Sequence, residues 1–129
     1  EELMRQGVAV GAETFGRFLG AAGWDVDDID RTFCHQVGVA HRKLMLDALG
    51  LDPAKDFATL ETLGNTGSAA LPVTMALGIE RGILRKGDRV AMLGIGSGIN
   101  SQMLAVEWQR AASESDSTAS SPKTLSRLM

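Results

Sequence analysis

The segment Arg89-Val90-Ala91-Met92-Leu93-Gly94-Ile95 constrains the fold most, because it is apolar without alternation and therefore reads as a strand covered on both faces. Such a strand requires helices above and below it. Gln102 to Trp108 supplies a further strand after the glycine-rich bend Gly94-Ile95-Gly96-Ser97-Gly98, and the two are expected to pair antiparallel. Upstream, Leu3, Val8, Ala12, Phe15, Phe18, Leu19 and Ala22 recur at three- and four-residue steps, which predicts a helix from Glu2 to about Ala22 ended by Gly23. The acidic connection 25–30 leads into an apolar run reaching His35. A second helix is expected over Val39–Leu49, stopped by Gly50 and Pro53. Phe57 to Leu63 is a strand candidate, and Ser68 to Gly82 a helix that tolerates Pro72 near its first turn. The turn Arg85-Lys86-Gly87-Asp88 then delivers the chain into the 89–95 strand. The order is helix, strand, helix, strand, helix, strand, strand: an α/β chain.

Two local signatures carry the chemistry, Cys34-His35-Gln36-Val37-Gly38 and Gly64-Asn65-Thr66-Gly67-Ser68. Each sets one polar side chain at the end of a strand-like run, so an imidazole and a carboxamide can reach one rim of a sheet. Two neutral donors so placed suit a developing oxyanion. Each also has a plainer reading. A lone histidine at a strand end is usually structural, and an asparagine between glycines is commonly a turn residue. His41 reads as an exposed helical residue. Gly94-Ile95-Gly96-Ser97-Gly98 is not a dinucleotide loop, because it leads into a strand, whereas phosphate cradling needs a helix N-terminus.

The chain has 129 residues, enough for one modest domain, with a net charge of -3 that gives no reason to expect nucleic acid or an anionic membrane. Its single cysteine excludes an internal disulfide framework and fits a reducing, cytoplasmic setting. With only two histidines, metal binding is not expected. No stretch approaches the length of a membrane span. The opening Glu1-Glu2, without an initiator Met, reads as a fragment or processed subunit. Residues 1–110 form the expected folded unit, and 111–129, rich in Ser, Ala, Asp and Glu, a flexible polar tail.

From Gly7 to Trp108 the chain resembles the C-terminal half of thiolase-superfamily condensing enzymes, especially ketoacyl synthase III-like proteins and the OleA branch that joins two fatty acyl chains. The resemblance rests on His35-Gln36 after a strand, Gly64-Asn65-Thr66 thirty positions later, Arg85-Lys86-Gly87-Asp88 before a strand, and Gly94-Ile95-Gly96-Ser97-Gly98. It implies a thiolase-like layered fold with a mixed sheet of four to five strands flanked by helices. It also implies a Claisen condensation of acyl-CoA or acyl carrier protein thioesters by a Cys-His-Asn triad, with no cofactor. His35 and Asn65 would be two of the three catalytic residues, and Gly64, Gly96, Ser97 and Gly98 would line the substrate pocket with backbone. The nucleophilic Cys would come from a complementary N-terminal half, and complete units would pair as dimers. Cys34 does not fill that role, since it sits in the strand and packs as a small apolar group. Where the most familiar family members have Ala-Asn after His-Gln, this chain has Val37-Gly38. That favours acyl-CoA over a carrier protein, with Arg42 or Lys43 meeting its phosphates if their helix faces the entrance. Two other readings compete: a noncatalytic thiolase-like scaffold or regulatory subunit, and an acyl-binding module.

Overall fold

Glycines set the ends of the first two helices. Helix α1 (Glu2–Ala22) closes at Gly23 (φ 68°) and α2 (Val39–Leu49) at Gly50 (φ 67°), both left-handed C-caps. The computed structural model describes residues 1–36, 38–96 and 100–110. Within them the remaining strands and α-helices are β1 (Arg31–Cys34), β2 (Asp56–Phe57), α3 (Leu60–Leu63), α4 (Ala70–Glu80), β3 (Arg89–Gly96) and β4 (Asn100–Glu107).

The four strands form one mixed sheet in the order β2-β1-β3-β4. β1 runs parallel to both β2 and β3, and β3 pairs antiparallel with β4 from Arg89 opposite Glu107 to Gly96 opposite Asn100. The ladder continues through the 85–88 turn, where Gly87 N–H donates to Trp108 C=O and Trp108 N–H to Asp88 C=O.

β3 is buried on both faces, as its unbroken apolar run requires. Ala91 and Leu93 join Phe15, Phe18, Ile29, Cys34, Met45, Leu46 and Leu49 beneath α1 and α2. Val90 packs with Phe33 and Leu84 on the opposite face, together with Leu71, Met75 and Ile79 of α4. The buried stripe of α1 is Gly7, Gly11, Phe15 and Phe18, and Leu3 lies exposed. A Cβ on Gly11 would come within 3.1 Å of Met45 Sδ, so this glycine lets α1 close onto α2.

One expected strand is corrected. Only Asp56–Phe57 is extended, and Leu60–Leu63 turns into a short helix, with Leu63 N–H donating to Thr59 C=O at 2.8 Å. Asn65 therefore follows a helical turn instead of ending a strand. The expected helix from Ser68 begins as a 3-10 turn over Gly67–Ala69, before α4 takes over. The proposed tail, 111–129, lies outside the described residues, as do Ser97 and Gly98.

Candidate active site

His35 is placed by the sheet. Its N–H donates to Leu93 C=O at 2.9 Å, extending the β1–β3 pairing one residue beyond β1. The half-buried side chain borders two spaces. One is an enclosed apolar pocket of about 30 Å³ between α2 and β3, lined by Cys34, His41, Met45 and Leu93 among others. The other is an open cleft of about 860 Å³ that Asn65 also lines, with Leu71, Gly94, Gly96 and Ser101. Burial, and after it the positive field of His41, holds the His35 pKa below the ordinary histidine value. A neutral imidazole, able to donate one N–H, is thus the resting form near neutral pH.

Asn65 is fixed from its own loop. Gly67 N–H donates to Asn65 Oδ1 at 2.9 Å, and because only the carbonyl end of an amide can accept, the Nδ2 end is left to donate. The turn does not require asparagine for its backbone angles. Among the described residues none other than glycine has positive φ, and Gly64 and Gly67 (both φ 66°) take that conformation on either side. Gly64, at φ 66° and ψ -161°, occupies a region essentially reserved for glycine, which accounts for it without reference to a ligand. A Cβ on Gly96 would meet nothing within 4 Å among the described residues.

Cys34 is 7 % exposed inside the core, and its thiol is pushed well above the ordinary range by burial and then by the Asp56 carboxylate. A thiol held protonated is a poor nucleophile. Arg42 is engaged within the fold: its Nε donates to Asp56 Oδ2 at 2.7 Å and its Nη2 to Asp56 C=O at 3.3 Å, while Thr32 Oγ1 donates to Asp56 Oδ1. That pairing ties α2 to β1 and β2, and the neighbouring Lys43 is exposed.

His41 is also corrected. Instead of standing in solvent it is half-buried against the His35 pocket, with Nε2 buried and without a hydrogen-bond partner among the described residues. α2 is only weakly amphipathic, so periodicity did not determine which face it turns inward. A buried polar chain beside the site, running from Gln36 through Thr59 to Thr74, is not among the sequence expectations. Its signal was three polar residues in otherwise apolar surroundings, which becomes legible only once they meet. Among the described residues no three His, Cys, Asp or Glu side chains gather as a metal site, and no helix is long and apolar enough to cross a membrane.

A mixed four-stranded sheet flanked by helices is the thiolase-like fold of the OleA and FabH structures. Residues 19–108 match the 3-oxoacyl-[acyl-carrier-protein] synthase III C-terminal family, and the chain belongs to that family, as the C-terminal half of an OleA- and FabH-like thiolase. It is 45% identical over 106 residues to the acyl-CoA:acyl-CoA alkyltransferase of Shewanella oneidensis, covering 82% of this chain and 30% of that protein. The Xanthomonas campestris acyl-CoA:acyl-CoA alkyltransferase is 38% identical over 106 residues, with 82% and 31% covered. Among solved structures, cerulenin-bound OleA of Xanthomonas campestris superposes with a TM-score of 0.79 at 38% identity, over 82% of this chain and 32% of that one. FabH of Pseudomonas aeruginosa gives 0.79 at 26% identity, over 85% and 35%. The chain thus spans about a third of the length of the relatives it matches.

Proposed function

We propose that this chain is the component of an acyl-thioester condensing enzyme that supplies His35 and Asn65, while a complementary N-terminal half supplies the nucleophilic cysteine. The observation that carries the reading is that these two side chains, thirty positions apart, line one cleft, one as a neutral imidazole and the other with its amide nitrogen left to donate. The chemistry asks for such a pair. Loss of a proton or of carbon dioxide next to a thioester carbonyl leaves an electron pair that delocalises onto the oxygen, and two aimed donors lower that barrier. The carbon then attacks the acyl group held on the cysteine. A C–C bond forms, the C–S bond breaks, the thiolate leaves, and a 3-ketoacyl thioester results.

Fatty acyl-CoA is the favoured substrate class over an acyl carrier protein thioester. Identity to the acyl-CoA:acyl-CoA alkyltransferases (45% and 38%) exceeds that to the Vibrio vulnificus beta-ketoacyl-[acyl-carrier-protein] synthase III 2 (27%). Support for a complementary half comes from α4, which is largely apolar: one side packs on the sheet while Pro72, Val73 and Ala76 stay exposed. In the same reading complete units pair as dimers, no cofactor is used, and the buried unpaired cysteine fits the cytoplasm.

The test is co-expression with the complementary half and assay of 3-ketoacyl product from acyl-CoA. His35→Ala and Asn65→Ala should each lower turnover by about 10²- to 10³-fold, the usual cost of removing one oxyanion donor. A complex that forms but condenses equally well without His35 would instead establish the scaffold reading.

A further inference from the structure

The buried polar chain beside the cleft has a geometry that the two catalytic candidates do not explain. Gln36, adjacent to His35, is 2 % exposed and has both ends of its amide engaged. Its Nε2 donates to Cys34 C=O at 2.7 Å, and its Oε1 accepts from Thr59 N–H at 3.1 Å. Thr59 Oγ1 lies 2.6 Å from Thr74 Oγ1, and the Thr74 hydroxyl donates to Ala70 C=O at 2.7 Å. With the Thr74 proton committed to Ala70, Thr59 is the donor between the two hydroxyls. Both threonines are buried, at 4 % and 0 % exposure.

Thr59 and Ala70 bracket the loop that carries Asn65, six residues before it and five after. The loop has little else to fix it: residues 65–69 are exposed, and the helix preceding them is a single turn. Its two ends are therefore held to the end of β1, one residue from His35, by a run of four buried hydrogen bonds.

We propose that Gln36 is a positioning residue, acting with the Thr59–Thr74 hydroxyl pair to fix the distance between the Asn65 amide and the His35 imidazole. Gln36 is buried and lines neither of the two spaces beside His35. It transmits the position of the β1 end to the Asn65 loop, and a glutamine is suited to this because one planar group must donate to a carbonyl and accept from an N–H. Fully satisfied buried polar chains confer this kind of rigidity, and a displacement of about 1 Å can cost a reaction about 10²-fold.

This inference rests on the condensing function proposed above, and a double-mutant cycle in the assembled enzyme separates the two. Gln36→Met keeps the side-chain length and removes both hydrogen bonds. It should lower kcat by about 10- to 100-fold with KM within about twofold. Placed on Asn65→Ala, it should cost less than about threefold more, because the group it positions is already gone. Thr74→Val, which removes only the hydroxyl that accepts from Thr59, should show the same coupling, and Thr74→Ser should restore the rate. It also serves in the cycle if Gln36→Met does not fold. Losses that multiply, or Gln36→Met and Thr74→Val both at wild-type kcat, overturn the positioning role alone. Asn65→Ala with undiminished turnover overturns the functional reading and this inference together.

Discussion

Two ion pairs of the same chemistry differ in burial, and that difference sets what each is worth. In Arg42–Asp56 the carboxylate side chain is 0% exposed and the guanidinium 28%, with the carboxylate also accepting from Thr32. In Arg17–Glu13, on α1, the side chains are 76% and 65% exposed. Asp56→Asn preserves shape but replaces one acceptor oxygen by a donor, so either Arg42 or Thr32 loses its partner. Breaking a fully buried pair costs about 3–5 kcal/mol, and the partial solvation of Arg42 lowers that to about 2–3 kcal/mol. Glu13→Gln should cost no more than about 0.5 kcal/mol. Urea unfolding followed by circular dichroism reads both. With a slope of about 1.5 kcal/mol per molar, Asp56→Asn should move the midpoint down by about 1.5 M and Glu13→Gln by less than about 0.4 M, both at unchanged slope. Equal shifts for the two variants would refute the argument that burial decides the contribution.

Three further outcomes follow from the site. The His35 pKa is lowered in the fold, so between that value and the ordinary one the unfolded chain binds more protons. The stability this contributes is complete above the ordinary histidine value and lost as pH falls through the native one. An NMR titration should accordingly place the His35 midpoint below 6.5, with His41→Asn moving it upward; a midpoint at or above 6.5 contradicts the assignment. Native Cys34 should react with iodoacetamide only as fast as the chain opens, and rapid labelling of the folded protein would show the thiol to be accessible. Gly64→Ala should cost about 1–3 kcal/mol through its backbone angles and shift the Asn65 side-chain amide resonances, whereas an unstrained, fully stable variant would mean that the loop has another conformation.

Much of the architecture was written locally. Apolar spacing and a following glycine gave α1 and α2 their full extents, and the unbroken run 89–95 announced a strand covered twice, with its antiparallel partner after the glycine bend. The 57–63 segment reads as a strand because Phe57, Thr59, Glu61 and Leu63 fit a strand as readily as a helical turn. Thr59 ahead of an acidic first turn was the overlooked helix-start signal, and its N–H is taken by Gln36, more than twenty residues away. His35 and Asn65 were legible as motifs. Gln36, Thr59 and Thr74 were not legible as a unit, since each is an ordinary polar residue until the parallel β1–β2 pairing brings β1 beside the segment that carries Thr59.

The central claim is spatial, and a structure of this chain assembled with its complementary half and trapped as an acyl-enzyme measures it directly. The account predicts a cysteine sulfur from the other half entering the cleft, with His35 and the Asn65 amide nitrogen both within about 3.5 Å of a thioester oxygen bound beside it. A sulfur approaching elsewhere, with these two side chains facing away from the acyl group, would contradict it.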